Sequence, residues 1–146
     1  SDKIAEAIVE ARELKPITNT KQLAKLIQEA APVAISTLPG AAKAWQQKVR
    51  PTARVFQALR IFVNRELANL QELLRVLPWC LKPGGRAAII SFHSGEDRLV
   101  KAAFRDGSRS GLFEAISADP IRPTFEERTA NPRSRSAKLR WARKTR

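Results

Sequence analysis

Three consecutive residues, Phe92, His93 and Ser94, are the best placed for chemistry, because they follow a short apolar run. If residues 86–92 form a strand, they lie at its carboxyl end, where ligands bind in open α/β sheets. Phe92 can line a ligand pocket at this place, or it can pack in the core. His93 is the only histidine, so it is either a polar group of a substrate pocket or a hydrogen-bonded structural histidine. We predict a pocket here and no metal.

The residues that follow predict the start of a helix. In Ser94-Gly95-Glu96-Asp97, the Ser94 hydroxyl is expected to accept from the Asp97 amide while the Asp97 carboxylate reaches back, as in a capping box. Glu96 and Asp97 can also be interpreted as a general acid and base. Adjacent acids at a helix start favour capping and interaction with the helix dipole instead. The helix is predicted over residues 95–105.

A second candidate site is a polar helical face with two guanidinium and two amide groups. Residues three or four positions apart lie on one side of a helix. This spacing joins Arg54, Gln57, Arg60 and Asn64. The face is either a surface that contacts RNA or a hydrogen-bond network between domains.

Basic residues are concentrated in two segments without acidic residues. Residues 128–146 contain eight Lys and Arg residues, and residues 30–65 contain six. Such clusters favour nucleic-acid phosphates, because each contact releases condensed counterions. Isolated surface charges contribute little stability, so we predict phosphate contacts by four residues: Arg133, Arg135, Lys138 and Arg140. The alternative is a solvated face and a disordered basic tail.

Length and composition exclude several classes of protein. The chain has 146 residues, a formal net charge of +13 and 43% hydrophobic residues, which excludes disordered and collagen-like chains. The single cysteine, Cys80, cannot form an internal disulfide, and no uncharged apolar run is long enough to span a membrane. We expect a cytoplasmic protein with no membrane partner. The sequence has no Met and opens on Ser1, so we expect a piece of something longer.

Periodicity and turn signals predict helices followed by a short sheet. Helical periodicity covers three segments: residues 2–14, about 21–30 and 51–77. Asn19 and its neighbours supply an N-cap for the second helix, and the third segment is one helix or two joined near Asn64. Strands are predicted at three places: residues 86–92, 112–118 and 137–143. The first of them suits a buried parallel strand, and residues 107–111 suit a Gly/Ser-rich loop. The fold class is therefore α/β.

Three motifs resemble the signatures of one known family. Residues 90–101 read ISFHSGEDRLVK, which is similar to the ISFHSLEDRIVK signature of the MraW/RsmH family. Its members are bacterial enzymes that methylate cytosine N4 in small-subunit ribosomal RNA. Residues 52–67 and 131–140 resemble the family's T-R-x-F-Q-A-L-R-I-x-V-N-x-E-L and N-P-R-A-R-S-A-K-L-R motifs. Gly95 stands where the family usually has Leu.

The resemblance covers all 146 residues but only the C-terminal half of the family's length. It implies a Rossmann-like class I S-adenosylmethionine-dependent methyltransferase. A helical RNA-recognition insertion domain would occupy residues 1–50, and the distal part of the methyltransferase sheet, with a basic tail, would occupy residues 51–146. The family's Gly-rich turn, ribose-binding acid and Asp/Ser/Gln motif have no counterpart here, so no cofactor-binding residue is assigned. We expect a missing N-terminal half to bind most of the S-adenosylmethionine, and this chain alone to be inactive.

The partners implied by the resemblance are ribosomal RNA and the small ribosomal subunit. Two other functions remain open. In the first alternative, the chain is a stand-alone RNA-binding or ribosome-associated module without catalysis. In the second, it completes a split methyltransferase by pairing with a complementary N-terminal half. An incomplete parallel sheet should aggregate or seek a partner, whereas a true module should be a well-behaved monomer.

Overall fold

The computed structural model describes the backbone of residues 2–31 and 40–146 and the side chains of residues 2–31 and 51–146. The chain divides into two compact units, Ser1–Asn64 and Arg65–Arg146. Among the described residues, no helix is both long and apolar enough to cross a membrane.

The described part of the first unit consists of three helices. They are α1 (Asp2–Leu14), α2 (Thr20–Ala30) and α3 (Gly40–Val63). Helix α2 contacts both of the others, and its Ile27 is fully buried. The Asn19 side chain caps α2 by accepting a hydrogen bond from the Gln22 N–H at 2.9 Å. The first two predicted helices and the predicted N-cap are confirmed.

The long helical pattern is divided into two helices at Arg65. Helix α3 ends at Val63, and α4 spans Glu66–Cys80. Arg65 has a left-handed backbone with φ of 53°, which interrupts the right-handed helix. The alternative of two helices is therefore correct. The domain boundary predicted after residue 50 falls inside α3. Pro51, which follows that boundary, lies within the helix and does not end it.

The second unit alternates helices and strands. Helix α4 is followed by β1 (Arg86–Ser91), α5 (Ser94–Arg109), β2 (Phe113–Ile116), α6 (Phe125–Ala130), a 3-10 helix (Pro132–Ser136) and β3 (Lys138–Lys144). All three predicted strands are confirmed in position. Helix α6 and the 3-10 helix are not predicted, because these six- and five-residue segments are too short to show helical periodicity.

The three strands form an antiparallel sheet in which the last strand of the chain lies in the middle. Their order is β1-β3-β2, and β3 pairs antiparallel with both neighbours. The expectation of parallel pairing for residues 86–92 is wrong within this sheet. The strand is also only partly buried, since Ala88 and Ile90 are exposed while Ala87 and Ser91 are buried. A short apolar run predicts a strand but carries no information about the direction of its partner. The broader α/β class holds, with helices and strands in one unit.

The core of the second unit lies between the sheet and helices α4 and α5. It contains Leu74 from α4, Val100 and Phe104 from α5, Phe113 from β2 and Ala142 from β3. The rings of Phe104 and Phe113 meet edge to face, with centroids 5.6 Å apart. Such aromatic pairs contribute stability beyond their buried area.

Gly107 continues α5 beyond its predicted end at residue 105. A Cβ atom at this position would lie 2.5 Å from Cδ2 of Phe113, so only glycine lets that ring pack on the helix. The loop predicted over residues 107–111 is therefore wrong in its first part, where the helix runs on to Arg109. Packing against the sheet outweighs the low helix propensity of glycine.

Lys144 on β3 closes the end of α4. Its ammonium group donates to the Pro78 carbonyl at 2.6 Å and to the Leu81 carbonyl at 3.0 Å. It also lies 6.0 Å from the centre of the Trp79 ring. A cation stabilises the last carbonyls of a helix, which have no partner within the helix.

Candidate functional site

His93 is the N-cap of α5. Its Nδ1 atom accepts a hydrogen bond from the Glu96 backbone N–H at 3.3 Å. In return, Oε2 of Glu96 accepts from the backbone N–H groups of His93 at 3.2 Å and Phe92 at 2.9 Å. The capping box therefore starts one residue earlier than predicted, and Ser94 is an exposed residue of the first turn. Histidine Nδ1 is bonded to Cγ like Oδ1 of asparagine, which explains why it can act as a cap.

This contact fixes which nitrogen of His93 carries the proton. Because Nδ1 accepts a hydrogen bond, the neutral ring carries its proton on Nε2, an assignment made from the hydrogen-bond partner. Nε2 is buried and lies 3.3 Å from Oε1 of Glu96, although the angle is poor for a hydrogen bond. Of the two roles predicted for His93, the cap contact at Nδ1 supports the structural one, and the role in a substrate pocket stays a prediction.

Glu66, the first residue of α4, also approaches the imidazole. Ligand atoms of Glu66, His93 and Glu96 lie within 4.8 Å of one another. A metal ion bound at Nε2 would need the lone pair there, which moves the proton to Nδ1 and breaks the cap. As folded, the cap at Nδ1 therefore disfavours a metal ion in this cluster. Glu66 is not among the residues predicted for the site, because it lies 27 positions before His93 and its proximity cannot be read from the sequence.

Phe92 lies at the end of β1 with 55% of its surface exposed. Core packing is thus not its role in this structure, and the ring is open to a ligand. The face of the sheet away from the helices continues this apolar surface through Ile90, which is 56% exposed. On β3, Leu139 lies opposite Ile90, and Trp141 lies opposite Ala88.

Asp97 connects the first turn of α5 to β3. Its carboxylate accepts from Nε of Arg140 at 2.8 Å and from Nζ of Lys138 at 3.2 Å. The hydrogen bond from Arg140, the hydrogen bond from Lys138 and the charges of both hold the pKa of Asp97 below its usual range, although burial opposes this shift. Asp97 is neither the predicted capping residue nor available as a catalytic base.

The same ion pairs change the interpretation of two predicted phosphate contacts. The Arg140 side chain is 5% exposed, and a second donor of its guanidinium reaches the Ala118 carbonyl at 3.4 Å. Lys138 is 19% exposed. Arg140 is therefore a structural residue of the folded chain, and its predicted phosphate contact stays a prediction. Lys138 lies in the same network.

Arg133 and Arg135 are exposed on the 3-10 helix. The Asn131 side chain caps this helix by accepting from the Arg133 N–H at 3.2 Å, and Ser134 between the arginines is buried. The alternation points both guanidinium groups outward. The alternative of a disordered basic tail is wrong, because residues 132–144 form the 3-10 helix and β3.

The predicted polar face lies at the end of the first unit. Arg54 and Arg60 are exposed on α3, Gln57 is half-buried, and Asn64 is exposed just after the helix. Arg60 and Asn64 already have interaction partners within the chain. Both predicted roles of this face, RNA contact and internal hydrogen bonding, therefore stay predictions.

Comparison with known proteins defines a class first: this α/β chain is similar to methylases. It belongs to the MraW methylase family, whose model matches residues 1–145. The family resemblance found from the three sequence motifs is confirmed.

Its relatives are considerably longer than the chain. Ribosomal RNA small subunit methyltransferase H of Acidobacterium capsulatum is 45% identical over 144 residues, which cover 99% of this chain and 44% of the relative. Proteins of the same name from Leptospira interrogans and a Synechococcus species are 46% and 49% identical. This chain covers 41% and 39% of their lengths.

Proposed function

We propose that this chain is a portion of an S-adenosylmethionine-dependent methyltransferase acting on cytosine N4 in small-subunit ribosomal RNA. It supplies RNA recognition and the distal part of the catalytic sheet, and it is inactive alone. The observation that carries the proposal is the match to methyltransferases over 99% of this chain but 44% of the relative's length.

The sheet supports this division through its edge strand β1. In the described residues β1 pairs only with β3, so its other edge lacks a partner strand. The exposed Ile90 side chain adds an uncovered apolar surface. Natural sheets cover or pair such edges, since they otherwise promote association. A Rossmann-like class I sheet that continues beyond β1, in an N-terminal half, would cover both.

The acids beside Phe92 support the assignment of S-adenosylmethionine to another part of the enzyme. The cofactor's ribose and amino groups need hydrogen-bond acceptors, and the acids beside Phe92 are already engaged. Glu96 accepts from two backbone N–H groups, and Asp97 is held by Lys138 and Arg140. We therefore assign cofactor binding to the complementary half, with no metal.

Phe92 is the residue that we assign to the cytosine base. Methyl transfer to an exocyclic amine depends mainly on positioning, and an exposed aromatic ring can stack on an extruded base. Glu96 accepts from the Phe92 backbone N–H, and His93 holds Glu96 in place through the cap. His93 and Glu96 are thus positioning residues, whereas Phe92 touches the substrate.

The surfaces that we assign to ribosomal RNA are those whose cations face solvent. They comprise the polar face (Arg54, Gln57, Arg60 and Asn64) and the two exposed arginines of the 3-10 helix (Arg133 and Arg135). Exposed guanidinium groups can approach phosphates without breaking a buried ion pair.

Complementation in trans tests the proposal. This chain, the N-terminal portion of the Acidobacterium capsulatum relative, and their mixture would each be incubated with labelled S-adenosylmethionine and a small-subunit RNA fragment. We expect methyl transfer only by the mixture, with N4-methylcytidine in the digest, and its loss with Phe92→Ala. Micromolar cofactor binding by this chain alone, measured by titration calorimetry, would overturn the proposed division. RNA binding by a stable monomer that never complements would support the stand-alone module.

A further inference from the structure

Helix α5 carries a row of basic residues that belongs to neither acid-free segment. Arg98, Lys101, Arg105 and Arg109 follow one another at spacings of three, four and four. Because residues turn by about 100° around an α-helix, these four lie within a sector of about 80°. All four are exposed, and they form what we call the basic ridge.

The acids of α5 leave most of the basic ridge uncompensated. Glu96 belongs to the cap, and Asp97 is bound to β3. Asp106 is the third acid, and its carboxylate lies 3.9 Å from Arg109 at the far end of the ridge. Within the part of the chain that the structure describes, Arg98, Lys101 and Arg105 make no ion pair. Counting charges along the sequence misses the ridge, because these acids are close in sequence but point elsewhere.

The opposite side of α5 fixes the ridge toward solvent. Val100, Phe104 and Gly107 are buried against the sheet and α4. The helix therefore cannot rotate to hide its cations or to insert an apolar face into a lipid surface, as a membrane-binding amphipathic helix does. A rigid row of cations about 16 Å long fits a polyanionic strand better than a single anion.

We propose that the basic ridge binds the sugar–phosphate backbone of the RNA substrate and leads the strand toward Phe92. Arg98 lies about one helical turn beyond His93, so the ridge begins next to the candidate base-binding residue. Phosphate contacts set the position of the strand without reading its sequence. This inference rests on the proposed function and extends it to a further surface.

Neutralisation of the ridge tests the inference in the full 146-residue chain. The ridge variant carries Arg98→Gln, Lys101→Gln and Arg105→Gln. The matched control removes three other exposed cations, Lys82→Gln, Arg86→Gln and Arg122→Gln. The dissociation constant for a small-subunit RNA fragment is measured between about 0.05 and 0.3 M salt. The slope of log affinity against log salt should fall by about 2 in the ridge variant, since each lost phosphate contact removes about 0.7.

Four outcomes are informative. Loss of slope confined to the ridge variant, with recovery in Arg98→Lys plus Arg105→Lys, supports a phosphate-binding ridge. Equal slopes in the wild type and both variants overturn the ridge and leave the proposed function standing. A wild-type chain that binds no RNA overturns both. Binding to vesicles of anionic phospholipid but not to RNA assigns the ridge to a lipid surface and overturns the inference. Circular dichroism melts confirm that each variant is folded.

Discussion

The imidazole of His93 and the carboxylate of Glu96 cap the same helix end in both directions. Nδ1 of His93 accepts from the Glu96 N–H at 3.3 Å, while Oε2 of Glu96 accepts from the His93 N–H at 3.2 Å. The same carboxylate holds the Phe92 backbone, so the orientation of the exposed Phe92 ring depends on this pair. The cap therefore links the stability of α5 to the shape of the candidate pocket.

Substitution of His93 separates its structural role from a role in the pocket. His93→Ala should lower the free energy of unfolding by about 1 kcal/mol, because the Glu96 N–H loses its acceptor. His93→Asn should stay near wild type, since its Oδ1 occupies the place of Nδ1. The measurement is urea unfolding of the chain. If the asparagine variant keeps its stability but loses methyl transfer in the complemented mixture, the imidazole itself acts in the pocket. An asparagine variant as unstable as the alanine variant would contradict the capping role.

The Asp97 ion pairs predict a loss of stability in acid. The pKa of Asp97 is lowered in the folded chain, so its contribution is fully present above the unfolded pKa of about 3.9. As the pH falls below about 4 and through the folded pKa, that contribution disappears. Unfolding measured from pH 7 to pH 2 should show this decline in the wild type and a flatter profile in Asp97→Asn.

At neutral pH the same Asp97→Asn substitution should destabilise the chain by about 3 kcal/mol, because it leaves the Arg140 charge buried without its carboxylate. Glu72→Gln is the control, since Glu72 pairs with Arg75 on the surface and its loss should matter much less. Similar effects of the two substitutions would show that the Asp97 network is not a buried one.

The close approach of Gly107 to Phe113 predicts that Gly107→Ala is destabilising despite its better helix propensity. Overpacking costs about 1–3 kcal/mol, and the propensity gain offsets about 1 kcal/mol of it. Thermal and urea unfolding should give a net loss of about 1 kcal/mol. In a Phe113→Leu background the loss should shrink, because the ring that the new methyl group meets is gone. An unchanged loss in that background would place the conflict elsewhere.

Two arginines of the polar face should contribute to RNA affinity. Arg54→Ala combined with Arg60→Ala is expected to weaken binding of a small-subunit RNA fragment and to lower the salt slope by about 1.4, the value for two phosphate contacts. Fluorescence anisotropy across a salt series measures both. An unchanged slope together with a lower melting temperature would assign this face to internal hydrogen bonding.

The uncovered face and edge of β1 predict self-association. Ile90→Lys should raise the protein concentration at which the chain associates, because a charge on an exposed strand blocks edge pairing. Sedimentation velocity at several concentrations measures this, and Val9→Lys, at an exposed position of α1, is the control. A wild-type chain that stays monomeric at all concentrations would favour the stand-alone module.

The sequence predicts most of the elements, and the exceptions have local causes. Helix α2 and its Asn19 cap follow from periodicity and a common capping residue. The cap of α5 is displaced by one residue because His93 is seldom used in that role. Burial of Arg140 could not be foreseen, since it depends on an acid 43 residues away in the sequence. The predicted helix over residues 95–105 already contains three of the four ridge residues at helical spacing. The fourth, Arg109, joins them because α5 runs on to that residue.

The contact of Lys144 with the end of α4 has a consequence for the order in which the second unit forms during synthesis. The carbonyls of Pro78 and Leu81 leave the ribosome more than 60 residues before the ammonium group that satisfies them. The core partner of Leu74 on β3, Ala142, is also made late. Until β3 is complete, α4 has neither its terminating cation nor the sheet beneath it. The second unit therefore cannot complete its core until β3 has been made, and a nascent chain that stops before β3 leaves the apolar sides of α4 and α5 without part of their packing surface.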